Sequence, residues 1–323
     1  MPTFRALYTD YPWADVEIER QLLAEVDCEL IVAPDNQEET QARLAPGMDA
    51  ILTCWAPVTA RVIDAADRCR HIARTGIGLD NINVPHATER GMVVTNVPDY
   101  CVNEVAEHTI GLIYALGRGI AGYHLATKNG QYDLVAGLPA ERISGKTLGI
   151  IGLGQIGKIL ARLARGVGMR VVGTNRSRTA HDGVDWLHLH DLLAESDYVS
   201  VQAPLTPETK HLINRETLRM MKPTAYLINT ARGGLVDHAA LAEALDQGVI
   251  AGAALDVQTP EPPDLSQPPY NDPRVIVTPH VAFYSSQATE ELRTRVGRQV
   301  VAMLRGERPE NIVNPTVRDS IDS

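Results

Sequence analysis

Cysteine is scarce in this chain of 323 residues. The four present (Cys28, Cys54, Cys69 and Cys101) form no CxxC pair and no His–Cys grouping. A disulfide framework and a metal site are therefore not expected, and a reducing, cytoplasmic setting fits best. A basic excess is also lacking. The net charge of −10 and pI near 5.5 argue against broad electrostatic binding to nucleic acid. Long apolar runs are missing as well. The most apolar stretch, HTIGLIYALGRGIAGYH, is broken by Arg118 and four glycines, so no membrane span or membrane partner is expected. The opening MPTFRALYTDYPWADVE has no basic segment followed by an apolar run, so a secretory leader is not expected either. There is no low-complexity segment and no short repeat.

What is present is ordinary globular composition, 44% hydrophobic and 22% charged, at a length that suits two domains. Short β-branched runs alternate with amphipathic stretches through the first hundred residues. FRALYTD, CELIVA, DAILTCW, HIARTG and MVVTN read as strands, with helical patterns between them. VNEVAEHTIGLIYALGRGIAGYHLATKNGQY then reads as one long helix. A second alternation runs from TLGIIG to RVIVTPH, and SQATEELRTRVGRQVVAMLRGE closes the pattern as a helix. Alternation with short connections predicts an α/β protein of two doubly wound parallel-sheet domains. If the closing helix returns to the first unit, that domain is discontinuous. Residues 1–102 and 284–323 would form one domain and residues 103–283 the other.

TLGIIGLGQIGKILARL holds a GxGxxG loop, Gly152-Leu153-Gly154-Gln155-Ile156-Gly157, between a strand and a helix. Gly152 suits a tight turn, Gly154 suits close approach of a pyrophosphate, and Gly157 suits close helix–strand packing. The strand, loop, helix and following strand RVVGT together predict a Rossmann dinucleotide-binding domain. An acid is expected at the end of RVVGT to hold the ribose hydroxyls of NAD. Asn175 stands there instead, 18 residues after Gly157, followed by Arg176, Ser177 and Arg178. Two guanidinium groups and a hydroxyl suit a 2′-phosphate, so NADP(H) is the preferred cofactor and NAD(H) the weaker alternative.

Three chemistry-bearing residues fall at carboxyl ends of expected strands, where a doubly wound sheet presents ligands. They are Arg232 in NTARGGLVD, Glu261 in DVQTPEPP and His280 in TPHVAFYS. Reduction of a 2-keto acid needs a proton donor, and an imidazolium serves near neutral pH. A carboxylate beside the ring favours its charged form, while a guanidinium holds the substrate carboxylate and polarises the carbonyl.

The chain resembles the D-isomer-specific 2-hydroxyacid dehydrogenase family over nearly its whole length. The blocks RTGIGLDNINV, NVPDYCVNEVAEHT, GKTLGIIGLGQIGK, PLTPETKHLIN, INTARGGLVD, GAALDV, EP and TPHVA carry the resemblance. NVPDYCVNEVAEHT and TPHVAFYSSQATEELR look closest to the branch with the C-terminal binding protein corepressors. The resemblance implies a flavodoxin-like substrate domain beside the Rossmann domain, and a homodimer built through the latter. It places the family's catalytic set on Arg232, Glu261 and His280, and the substrate carboxylate on the amides of Ile77 and Gly78. It puts Thr109, Thr230, Ala231 and Asp256 near the nicotinamide, and Pro204 in a cofactor-facing block. Many members carry His where this chain has Gln202. Trp55 and Tyr100, with Phe283 or Tyr284, lie beside matched blocks and are candidates for a substrate pocket. The expected substrate is a small D-2-hydroxy or 2-keto acid such as glyoxylate or hydroxypyruvate. A corepressor-like scaffold with vestigial activity and a phosphite-type dehydrogenase are the alternatives.

Overall fold

The structure is a computed structural model that describes residues 2–135, 140–179 and 181–320. The chain begins with β1 (Phe4–Tyr8), α1 (Glu17–Ala24), β2 (Cys28–Val32), α2 (Glu38–Leu44), β3 (Ala50–Thr53) and α3 (Ala60–Ala65). It continues through β4 (His71–Arg74), α4 (Val84–Glu89), β5 (Val93–Thr95), α5 (Val102–Gly117) and α6 (Ile120–Lys128). Next come β6 (Thr147–Ile151), α7 (Gln155–Gly166), β7 (Arg170–Thr174), β8 (Asp185–Trp186), α8 (Leu189–Glu195) and β9 (Tyr198–Val201). The last elements are α9 (Arg215–Leu218), β10 (Tyr226–Asn229), α10 (His238–Asp246), β11 (Gly252–Leu255), β12 (Val275–Val277) and α11 (Ser286–Leu304). They group into two compact units, Met1–Tyr100 with Ser285–Ser323, and Cys101–Tyr284.

The first unit holds a five-stranded sheet in the order β2-β1-β3-β4-β5, with every pairing parallel. Its inner strands are buried along their length because helices cover both faces, which is why they read as continuous apolar runs. The order reverses between β1 and β3, and the loops leaving those strands are braced there. The Asp10 carboxylate accepts from the Cys54 and Trp55 amides at 3.0 and 2.7 Å. Helix α11 joins this unit through a buried ion pair. The Arg293 guanidinium meets the Glu19 carboxylate through two bonds of 2.7 and 2.9 Å, and lies 5.5 Å from the Trp13 ring centroid. Arg293 also reaches the Asp15 carboxylate at 3.1 Å, whereas Glu19 is fully buried, so loss of Arg293 would strand the Glu19 charge in the interior.

The second unit holds a seven-stranded parallel sheet in the order β12-β11-β10-β9-β6-β7-β8. Alternate residues feed opposite cores. Leu148, Ile150, Tyr226 and Ile228 pack with α5 and α7, while Ile151, Leu227, Ala253 and Leu255 pack with α8, α9 and α10. Fully burying each Leu or Ile contributes about 1.5–3 kcal/mol. The helix expected as one piece from Val102 is two. Gly119 takes a left-handed φ of 62° and starts α6 in a new direction, a conformation that costs glycine little. Among the described residues no helix is long and apolar enough to cross a membrane.

His71 sits at the floor of the first unit with no accessible surface, and its Nε2 meets the Thr95 hydroxyl at 2.9 Å. Burial pushes its imidazole down to about 3 from the ordinary 6.5. The unfolded chain therefore binds a proton that the folded chain refuses. Stability is fully present above about pH 6.5 and falls toward pH 3, by up to about 1.4 kcal/mol per pH unit. His71→Gln should flatten the fall of Tm between pH 6.5 and 4.5 measured by circular dichroism. An unchanged slope would show that other groups cause it.

Candidate active site

The glycine loop leaves β6 beside the point where the strand order of the second sheet reverses, between β6 and β9. Gly152 has φ 110°, and a Cβ there would lie 2.5 Å from the Gln202 carbonyl oxygen. A Cβ on Gly157 would lie 2.1 Å from the Gly152 carbonyl oxygen, so α7 can start this close to the strand only with glycine. Around Gly154 the space is open. The first intrahelical bond of α7 runs from the Lys158 amide to the Gly154 carbonyl. The Gln155, Ile156 and Gly157 amides precede it, and no side chain caps them. Amides that meet no acceptor among the described residues, at the positive end of the helix dipole beside open space, fit a pyrophosphate.

The loop after β7 is closed by Asn175. Its Oδ1 accepts from the Thr179 amide at 3.0 Å, and its Nδ2 donates to the Thr179 carbonyl at 2.9 Å. Arg176, Ser177 and Arg178 are exposed, and Arg178 has a left-handed φ of 53°. Facing them is the loop after β9 that carries Pro204 and Glu208. The Glu208 carboxyl is held below its ordinary range chiefly by the Thr206 hydroxyl, with a smaller contribution from Arg176.

At the far strands the loops converge. Asp256, just beyond β11 and fully buried, accepts from the Thr278 hydroxyl at 2.6 Å, the Val281 amide at 2.9 Å and the Ala282 amide at 3.0 Å. Its backbone carbonyl accepts from the His280 amide at 2.8 Å. These bonds hold His280 at a left-handed φ of 53°. His280 Nδ1 lies 2.8 Å from Glu261 Oε2, and Glu261 Oε1 accepts from the Gln258 amide at 2.7 Å. Burial raises the Glu261 carboxyl, but the His280 bond and charge, the Gln258 amide and Arg232 outweigh it. The net displacement is downward, and the group stays ionised. Arg232 reaches this neighbourhood because Gly233 packs on the Glu261 loop. A Cβ at Gly233 would lie 2.1 Å from the Gln258 carbonyl oxygen. The Arg232 Nη1 donates to the Ala231 carbonyl at 2.7 Å, and the Ala231 amide donates to the Asn229 Oδ1 at 3.1 Å.

A model of the D-isomer specific 2-hydroxyacid dehydrogenase NAD binding domain matches residues 110–282. A glyoxylate reductase from Thermofilum pendens is 38% identical over 293 residues, 88% of this chain and 86% of that protein. This chain belongs to the D-isomer specific 2-hydroxyacid dehydrogenase family. Two solved structures share the architecture of this dehydrogenase. D-Lactate dehydrogenase from Aquifex aeolicus, solved with NAD and lactic acid, has a TM-score of 0.86 at 27% identity, covering 96% of this chain and 99% of that one. An acyclic imino acid reductase solved with NADPH and D-Arg has a TM-score of 0.87 at 28% identity, covering 96% and 100%. The cofactor class of the dehydrogenase is thus a nicotinamide dinucleotide.

Gln202, which replaces the histidine of many family members, is a hub that sequence reasoning did not anticipate. Its Nε2 lies 2.8 Å from the Thr230 hydroxyl, 3.0 Å from Ser200 and 3.4 Å from Thr109. Thr109 and Thr230 are themselves 3.0 Å apart, and Thr109 donates to the Val105 carbonyl. One amide therefore ties the ends of β9 and β10 to α5. Phe283 packs edge-on to His280 with centroids 6.2 Å apart, whereas Tyr284 is largely exposed.

In the first unit of the dehydrogenase, the Ile77 and Gly78 amides meet no acceptor among the described residues. The Arg74 Nε donates to the Gly78 carbonyl at 2.8 Å. Trp55 is 42% exposed and Tyr100 is buried.

The two helix-proximal glycines separate packing from ligand approach. Gly157→Ala should cost about 1–3 kcal/mol in denaturant unfolding, because its methyl collides with backbone. Gly154→Ala should leave unfolding unchanged yet weaken dinucleotide binding in a fluorescence titration. Equal unfolding losses in both variants would contradict this division.

Proposed function

We propose that this protein is an NADP(H)-preferring reductase of small 2-keto acids such as glyoxylate or hydroxypyruvate, giving D-2-hydroxy acids. The observation that carries this reading is the 2.8 Å contact between His280 and an ionised Glu261, with Arg232 acting on the same carboxylate. The first unit is assigned to substrate and the second to the dinucleotide, whose nicotinamide supplies the hydride when bound.

The chain's own groups then have distinct tasks. His280 donates one ring N–H to Glu261, which fixes the ring and leaves the proton on Nε2 for the forming alkoxide. Glu261 stays anionic and orients the His280 ring. Arg232 polarises the carbonyl, and its planar fork suits a carboxylate. The amides of Ile77 and Gly78 receive the substrate carboxylate. Trp55 and Tyr100 of the first unit are assigned to the substrate's remaining atoms. Asp256 serves by bracing the His280 turn. Thr109, Thr230 and Ala231, linked through Gln202 and Asn229, are assigned to the nicotinamide end of the cofactor.

NADP(H) preference rests on the loop after β7. No carboxylate stands at its start to repel a 2′-phosphate, and Asn175 shapes the loop while Arg176, Ser177 and Arg178 reach solvent. A homodimer built through the second unit is supported by Leu125, Tyr132, Leu134 and Val135, whose relative exposures range from 62% to 92%. The Tyr123 hydroxyl, donating to the Leu134 carbonyl at 2.9 Å, holds that apolar surface against α6.

Activity is tested with a spectrophotometric panel of 2-keto acids under NADPH and NADH, with phosphite in the oxidative direction. Turnover of no member would overturn the enzyme reading in favour of a scaffold. Glu261→Gln should lower kcat at least about tenfold, because the His280 ring loses the carboxylate that holds it. His280→Ala should lower kcat about a thousandfold while NADPH binding persists. Normal turnover in either variant would refute the role of the residue replaced. For the cofactor, Asn175→Asp with Arg176→Ala should swing the ratio of kcat/KM values at least about tenfold toward NADH. An unmoved ratio would reduce the arginines to surface charge.

A further inference from the structure

The two amides assigned to the substrate carboxylate are fixed by groups that sequence matching did not single out. A trans peptide points its N–H opposite to its C=O, so whatever grips the carbonyl sets the direction of the amide. The Gly76 carbonyl, which shares a peptide with the Ile77 amide, accepts from the Val97 amide at 3.1 Å. The Ile77 carbonyl, which shares a peptide with the Gly78 amide, accepts from the Asn96 Nδ2 at 2.8 Å. Both grips come from two consecutive residues after β5. Their effect is to turn two neighbouring N–H groups away from the body of the unit, where neither meets an acceptor among the described residues.

Asn96 is held in its turn. Gln299, fully buried on α11, donates from Nε2 to the Asn96 carbonyl at 2.9 Å and approaches the Glu310 carbonyl at 3.4 Å. Two carbonyls around one nitrogen fix which end of the amide is NH2. Gln299 Oε1 therefore faces the Thr95 hydroxyl, which donates to it at 2.8 Å, and the Thr95 oxygen accepts from His71 Nε2 at 2.9 Å. The donors all run one way: His71 to Thr95, Thr95 to Gln299, Gln299 to Asn96, Asn96 to Ile77. The Gly78 amide is the one donor that faces outward at the end of the series. Such directed chains are stiff because each bond fixes the next group's orientation.

We infer that Asn96 is a positioning residue for the substrate carboxylate and that Gln299 of α11 positions Asn96. Together they preset the Ile77–Gly78 amides before substrate arrives. This rests on the assignment of the carboxylate to those amides under the proposed function. Preset donors contribute to the binding of a carboxylate and contribute little to an uncharged carbonyl compound of the same size.

The test compares glyoxylate with its primary amide under NADPH, in the wild type, Asn96→Ala and Gln299→Met. The wild type should favour the acid in kcat/KM. Asn96→Ala should shrink that preference about tenfold by raising KM for the acid, with kcat reduced less than about threefold. Gln299→Met should shrink it about threefold, and NADPH affinity should hold in both variants. A general loss of structure would depress acid and amide alike. An acid-to-amide ratio unchanged in the variants would overturn the inference while leaving the carboxylate assignment standing. A wild type with no preference for the acid would overturn that assignment, and this inference with it. Should Asn96→Ala fail to fold, Asn96→Ser and Gln299→Met carry the same comparison.

Discussion

One carboxylate holds the far end of the second unit together. Asp256 has no accessible surface, and an isolated charge there would cost several kcal/mol. It is tolerated because the Thr278 hydroxyl and the Val281 and Ala282 amides converge on it. Those donors come from the turn that carries His280, so the need to solvate one buried anion dictates the path of that turn. Gln258 links the same strand ends by donating to the Leu255 and Thr278 carbonyls. Its backbone amide then holds Glu261. Both members of the His280–Glu261 pair are thus suspended from one strand terminus. Their separation follows from backbone geometry more than from side-chain freedom.

Much of this was legible in the sequence because its causes are local. Parallel strands buried on both faces leave apolar runs, and a strand–GxGxxG–helix unit occupies a single stretch of chain. Arg232, Glu261 and His280 stand out because each follows such a run. The turn at Gly119 was hidden because the residues on either side both favour helix, and glycine at one position decides the outcome. Gln202 read as a departure from a family block, yet its consequence lies largely in the Thr109 and Thr230 hydroxyls, far along the chain. Asn175 was recognisable as a missing acid but not as the residue that closes its own loop. Hardest of all to foresee were bonds between Gln299 and residues about two hundred positions earlier, since no local pattern encodes them.

The two units solve a shared problem in different ways. Each must present polar backbone at the carboxyl end of a sheet without letting it collapse onto neighbouring protein. In the second unit the brace is largely ionic, through Asp256. In the first the braces are mixed: the Asp10 carboxylate accepts from the Cys54 and Trp55 amides, Asn81 donates to the Cys54 and Ala56 carbonyls, Arg74 donates to the Gly78 carbonyl, and Asn96, itself held by Gln299, donates to the Ile77 carbonyl.

The Arg293–Glu19 pair ties residues separated by most of the chain. The sheet of the first unit is synthesised before the second unit, and the helix that covers α1 after it. Until then Glu19 has no guanidinium partner, and the face destined for α11 is bare. The intervening unit, continuous from Cys101 to Tyr284, has all its strands before α11 exists. The first sheet therefore waits for its covering helix through synthesis of the whole second unit.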